Sequence, residues 1–280
     1  MHIVPSITLN NGVAMPQLGF GVWQVPDAGA TAAVSEALEV GYRSIDTAEI
    51  YENERGTGRA LASSGIARED LFVTTKLWNT AKQAWDRDAV LRAFDASLER
   101  LGLDYVDLYL IHWPRALRDD YVTIWRVFGE IAQSGRARAV GVSNFKPQNL
   151  ERLIEEAGLT PAVNQIELHP YFQQAELRAF DQRHGIATES WSPLGQGKDV
   201  LADETIGAIA AAHGVTPAQA VIRWHLQLGN IVIPKSVTPA RIKENFDVFD
   251  FELSPEEMAA IAGLETGKRL GPDPDDFDVD

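Results

Sequence analysis

Asp46, Lys76 and His112 stand at or just past the ends of three short apolar runs, "YRSID", "LFVTTKLW" and "LYLIHWP", and Tyr51 lies in the loop after the first. Taken singly, each has a plain structural role. Asp46 could cap the following helix, Tyr51 could pack half-buried, Lys76 could reach solvent, and His112 could be a satisfied core histidine. Together they suggest chemistry. A lysine and an aspartate tolerate burial better as a pair than either does alone. A phenol beside that ammonium is expected to have a lowered pKa, because a nearby positive charge favours phenolate. Such a tyrosine could release a proton near neutral pH, as a general acid must. A histidine beside it could orient a carbonyl oxygen by hydrogen bonding. The set reads as a proton donor for a carbonyl that becomes an alcohol.

These groups need a scaffold that brings strand ends together. "SITLNNGVAMPQ" reads as a hairpin around a two-residue Asn11-Gly12 turn. From "LGFGVW" onward, strand-like runs alternate with helical patterns such as "TAAVSEALEVG", "ENERGTGRALASSG" and "WDRDAVLRAFDASLERLG". Eight such alternations imply right-handed βαβ units and a parallel sheet. A closed (β/α)8 barrel fits best, as one domain over residues 1–280, with an N-terminal β-hairpin and an irregular acidic tail from 271 to 280. An open doubly wound sheet is the rival, but no segment supplies the G-x-G-x-x-G turn it usually carries. Barrels gather reactive groups at the C-terminal ends of their strands. Those ends fall near Trp23, Asp46, Lys76 with Trp78, His112 with Trp113, Ser143 with Asn144, Gln165, Trp191, and Lys235 with Ser236. A strand buried on both faces should be nearly all apolar, so polar groups and tryptophans there are hard to explain as packing.

Composition narrows the partners. The chain has 280 residues, no cysteine and a formal net charge of -15. Disulfides, thiolate metal sites and a cysteine nucleophile are excluded. The acidic balance disfavours non-specific binding to nucleic acid or an anionic membrane. "MHIVPSITLN" has no basic segment followed by an apolar one, and no apolar run approaches a bilayer span. A soluble, cytoplasmic protein is expected, and no metal site.

Five motifs in order resemble the aldo-keto reductase family over practically the whole chain. "GYRSIDTAEIYENERGTG" is similar to its first signature, and "LYLIHWP" to the strand carrying its histidine. "GVSNF" and "NQIELHP" are similar to its mid-chain cofactor motifs, and "IPKSVTPARIKEN" to its phosphate-binding signature. The short loops, "WSPLGQG" and the "GPDPDDF" ending are most similar to the bacterial 2,5-diketo-D-gluconate reductase type. The resemblance implies a (β/α)8 barrel, usually monomeric, that reduces aldehydes and ketones with NADPH. It implies Asp46, Tyr51, Lys76 and His112 as the catalytic residues, with Tyr51 as proton donor. Ser143, Asn144 and Gln165 would hold the nicotinamide carboxamide, and Trp191 would stack on the ring where the family commonly has Tyr. Ser192 and Leu194 would join the cofactor site. Lys235, Ser236, Val237, Thr238 and Arg241 would grip the 2′-phosphate end, with Glu244 and Asn245 near the adenine. Thr57 replaces the usual aliphatic residue between two glycines, and only a local packing difference is expected there.

The phosphate assignment has an independent physical warrant. Barrels often bind phosphate at the loops after strands seven and eight, beside a helix N-terminus, and "PKSVTPAR" places Lys, Ser, Thr and Arg there. Its plainer reading is a solvated helix start. Trp23, Trp78, Trp113 and Phe277 would line the substrate mouth, with Phe277 carried there by a tail that folds back. The tail aspartates would then disfavour anionic substrates. Three readings remain: an NADPH-dependent carbonyl reductase, either general or specific for 2,5-diketo-D-gluconate; a non-catalytic NADPH-binding protein; and an unrelated barrel aldolase or isomerase using Lys76 as a Schiff-base amine. In the last, Asp46 would hold Lys76 charged and oppose nucleophilic attack.

Overall fold

The computed structural model describes residues 4–80 and 84–278. The chain starts with an antiparallel hairpin, β1 (Ser6–Thr8) and β2 (Ala14–Pro16), in which Thr8 faces Ala14. The expected two-residue turn is a three-residue one. Leu9 N–H donates to the Val13 carbonyl across Asn10, Asn11 and Gly12, and Gly12 takes a φ of 86° that suits glycine.

Alternation then runs as expected: β3 (Phe20–Gly21), α1 (Asp27–Val40), β4 (Ser44–Asp46), α2 (Glu54–Ser63), β5 (Phe72–Leu77), α3 (Arg87–Leu101), β6 (Val106–Ile111) and α4 (Tyr121–Gln133). After them come β7 (Ala137–Ser143), α5 (Pro147–Ala157), β8 (Val163–Glu167), α6 (Ala175–Arg183), β9 (Ala187–Trp191), α7 (Glu204–His213), α8 (Pro217–Gln227), β10 (Ile231–Val232), α9 (Pro239–Phe246) and α10 (Pro255–Ala262). Helix α1 begins four residues before the expected Thr31, directly after Pro26, whose fixed φ suits a helix entry.

Strands β3 to β10 pair in parallel in chain order. The two edges meet through a Leu18–Val232 bridge, with Gly19 N–H on the Val232 carbonyl and Gly21 N–H on the Pro234 carbonyl. The sheet therefore closes into a (β/α)8 barrel, and no edge is left to pair elsewhere. Several strands stop before the expected residue. β6 ends at Ile111, ahead of His112 and Trp113, and β10 ends at Val232, ahead of Lys235 and Ser236. Pro234 has no N–H to extend the last ladder.

Side chains alternate across each strand. Tyr109, Ile111, Val140 and Val142 pack outward with helix residues such as Phe94, Trp125 and Phe128. Phe72, Leu108, Leu110, Ala139, Val163 and Ile231 form an interior layer with Leu9 and Met15, so the hairpin plugs the N-terminal end of the barrel. Gly141 keeps that layer tight, because a Cβ there would lie 2.5 Å from the Val163 carbonyl oxygen. Beyond this layer, toward the C-terminal ends of the strands, a second inward set is polar and includes Asp46, Lys76, His112, Ser143, Gln165 and Glu189. No single described helix is long and apolar enough to cross a membrane.

Candidate active site

A cleft of about 840 Å³ opens over this second layer at the C-terminal ends of the strands. Lys76, on β5, is fully buried beneath its floor, under the lining residues Asp46 and Tyr51. Its ammonium donates to Asp46 Oδ1 on β4 at 2.6 Å and to the Thr47 carbonyl at 2.9 Å. Burial works against the charge, but Asp46 and then Tyr51 outweigh it and raise the Lys76 pKa. Tyr51 ends a short 3-10 turn, Glu49–Tyr51, and its ring centre lies 5.1 Å from the ammonium. The His112 ring meets that of Tyr51 edge-on at 5.7 Å and that of Trp78 at 5.2 Å.

The expected lowering of the Tyr51 pKa does not occur. Burial pushes it up to about 12, and the pull of Lys76 is too weak to reverse that. Tyr51 thus stays protonated across the physiological range. Burial, followed by the charges of Lys76 and Arg115, holds His112 well below the usual histidine range, so its ring is neutral. The described His112 ring leaves Nδ1 buried without a hydrogen-bond partner.

The wall of the cleft continues along β7 to β9. Ser143 Oγ donates to the Gln165 carbonyl, and Asn144, at a left-handed φ of 67°, donates to the His112 carbonyl. Trp191 is fixed by its Nε1 donating to Asn144 Oδ1 at 2.8 Å. Gln165 Nε2 donates to Asp46 Oδ2 and to Glu189 Oε2, each at 2.8 Å. Ser192 and Leu194 also line the cleft.

At its far end the cleft reaches Lys235, Ser236, Arg241, Glu244 and Asn245. Ser236 Oγ accepts from the Thr238 N–H just before α9, and Glu244 accepts from Thr216 Oγ1. Among the described residues neither Lys235 nor Arg241 has a carboxylate partner within ion-pair distance. Two such cations near a helix start could hold an anion in this otherwise acidic chain. Val237 and Thr238 lie beside this end without lining it; Val237 is exposed. The set fits a long ligand with an amide at one end and a phosphate at the other.

Trp23, Trp78 and Trp113 line the opposite end, and Trp23 remains 44% exposed. Phe277 lies behind them, stacked on Trp113 at 4.1 Å and edge-on to Trp78 at 6.0 Å. It thus supports two wall residues and is not itself among those lining the cleft. The tail that carries it is tied down. Leu270 and Gly271 N–H groups donate to the Glu167 carboxylate, and Leu270, Gly271 and Pro272 line the cleft. Lys146 binds Asp273 and Asp275 at 2.6 Å each, while Arg118 and Arg115 meet Asp278. These pairings offset the negative field expected at the mouth. Thr57 lies on α2, fully buried, with its Oγ1 unpartnered.

Sequence reasoning missed Glu189, Glu167 and Glu54. Glu189 sits mid-strand in "ATESW", where a doubly buried strand should be apolar, and that anomaly was readable. Glu54 binds Thr75 Oγ1 and Arg100 beneath the site.

The aldo/keto reductase family model matches residues 15–266. An aldo-keto reductase of Mycolicibacterium smegmatis is 59% identical over 98% of both chains. A protein named methylglyoxal reductase DkgA, from Yersinia pestis, is 56% identical over 100% of both. Among solved structures, a Gox0644 mutant in complex with NADPH superimposes with a TM-score of 0.93 at 48% identity, covering 99% of each chain.

Proposed function

The chain belongs to the aldo/keto reductase family of NADPH-dependent oxidoreductases, and from that premise we propose that it reduces small aldehydes and α-ketoaldehydes to alcohols with Tyr51 as proton donor. The observation that carries the reading is the meeting of Tyr51, the Lys76–Asp46 pair and neutral His112 at one wall of a cleft whose other end holds two unpaired cations. NADPH, when bound, supplies the hydride. Ser143, Asn144, Gln165 and Trp191 would hold its nicotinamide end, and Lys235, Ser236 and Arg241 its 2′-phosphate.

Tyr51 gives its proton to the carbonyl oxygen as negative charge develops there, and Lys76 makes the resulting phenolate tolerable. A Tyr51 pKa of about 12 keeps the donor loaded at neutral pH. His112, being neutral, can donate one N–H to the same oxygen without competing for the proton. Asp46 holds Lys76 charged, which opposes Schiff-base chemistry at that amine. The tryptophans of the mouth provide an apolar wall for a small substrate. The Yersinia pestis relative's name points to methylglyoxal as the first candidate.

The test is NADPH oxidation against methylglyoxal, aromatic aldehydes, dihydroxyacetone and 2,5-diketo-D-gluconate, with Tyr51→Phe as control. Methylglyoxal is expected to lead, and Tyr51→Phe to lose at least about 100-fold in kcat with near-normal NADPH binding. A Tyr51→Phe enzyme within a few-fold of wild type would overturn the assignment of the donor.

A further inference from the structure

We propose that Glu189 is a positioning residue for this reduction: it shares the Gln165 amide nitrogen with Asp46 and so aims the Gln165 carbonyl oxygen at the ligand. The proposal rests on the carbonyl-reductase reading above.

A side-chain amide has two N–H donors, and both are committed here. One goes to Asp46 Oδ2 and the other to Glu189 Oε2. The reverse orientation would set the Gln165 carbonyl oxygen 2.8 Å from the Asp46 carboxylate, which is repulsive. The Gln165 oxygen is the group left over, and Gln165 lines the cleft. It can only accept, so it selects a donor such as the N–H2 of a carboxamide. Asp46 alone would leave one N–H free and the amide able to turn.

The barrel register places Glu189 for this task. On β9 it faces Gln165 on β8 and Ile231 on β10. It is fully buried, with no ion-pair partner among the described residues, and its Oε1 has no hydrogen-bond partner. The charged groups that act on it are Asp46 from β4 and Lys76 from β5; Gln165 and Ile231 carry none. Burial first, then the Asp46 charge, push its pKa up to about 8. Both effects favour the neutral acid form of Glu189, which lets it sit beside Asp46 without cancelling the charge of Lys76. When ionised it makes Tyr51 a weaker acid. Its protonation thus favours proton donation by Tyr51.

The experiment compares full-length wild type, E189Q and E189L. Titrations with NADPH and with 2′,5′-ADP, which lacks the nicotinamide, separate local positioning from general damage. E189L is expected to lose about tenfold in NADPH affinity while 2′,5′-ADP binding changes by less than about twofold. E189Q, which keeps an oxygen for Gln165, should recover most of the loss. Infrared difference spectra of ligand-free wild type against E189Q should show a protonated carboxyl band that only the wild type has, distinct from the Asp181 band common to both, and that fades as pH rises. Equal losses for NADPH and 2′,5′-ADP, no loss in E189L, no rescue by E189Q, or no such band would each overturn the proposal. None of these readouts uses turnover, so a failure of the reductase reading in the Tyr51→Phe assay is distinguishable from a failure here.

Discussion

The Lys76 ammonium lies 2.6 Å from Asp46 Oδ1 and 5.1 Å from the centre of the Tyr51 ring, with the lysine and the aspartate both inside the barrel. One cation thus serves two partners. It neutralises a buried carboxylate, and it is the strongest influence lowering the pKa of the phenol.

These two duties separate by mutation. Lys76→Met leaves Asp46 buried without its counter-charge and should destabilise the fold by about 3–5 kcal/mol. Lys76→Met with Asp46→Asn should regain most of that stability. Turnover should stay low in both, because Tyr51 then has no positive charge to stabilise its phenolate. Chemical denaturation and kcat measured on both variants check this. A double variant with near wild-type kcat would detach Lys76 from the chemistry.

Arg241→Ala tests the anion-binding end. NADPH binding should weaken by about 1.5–3 kcal/mol, the worth of a charge-assisted hydrogen bond, with NADH binding almost untouched. Fluorescence titration with both cofactors gives the comparison. Equal losses for both would place Arg241 away from the 2′-phosphate.

The tail should govern substrate size more than substrate charge. Deleting residues 273–280 keeps the Leu270 and Gly271 bonds to Glu167 but removes Phe277 from behind Trp113. The KM ranking of bulky against small aldehydes should change, while NADPH affinity stays within about twofold of wild type. Asp273, Asp275 and Asp278 are already paired with Lys146, Arg118 and Arg115. Raising the salt should therefore shift the preference between neutral and anionic substrates only slightly in the full-length enzyme.

Stability should carry the mark of Asp181, a buried carboxyl on α6 that takes hydrogen bonds from Thr188 and Asn164 and has no cationic partner among the described residues. Burial raises its pKa from 3.8 to about 7. The folded state then binds a proton that the unfolded state has released, so stability falls as pH rises from about 4 to about 7. Asp181→Asn should remove this component and gain most relative to wild type above pH 7. Urea denaturation of both proteins at pH 4.5, 6 and 7.5 reads the difference directly. A constant gap across that range would exclude the linkage.

Much of this was legible in residue order. Strand and helix periodicities set out eight units, and polar residues where strands should be apolar marked Asp46, Lys76, His112, Ser143 and Gln165. Boundaries were less legible. "LYLIHWP" reads as one strand, but its ladder stops at Ile111, because pairing depends on the neighbouring strand as well as on local preference. The hairpin turn was misjudged by one residue for the same reason: the Thr8–Ala14 register fixes the loop length.

By itself, then, the chain's sequence determined the barrel, the inward-facing set of polar residues and the basic end of the cleft, since these follow from periodicity and from residue type at strand ends. Tertiary structure decided the sign of the Tyr51 pKa shift, the state of Glu189 and the pairing of the tail aspartates. Each is a balance between desolvation, which depends on how many atoms surround a group, and Coulomb attraction, which depends on distances between residues far apart in the chain. Tyr51 and Lys76 are 25 positions apart and Gln165 and Asp46 are 119 apart; no local pattern encodes which of the two effects prevails when such groups meet.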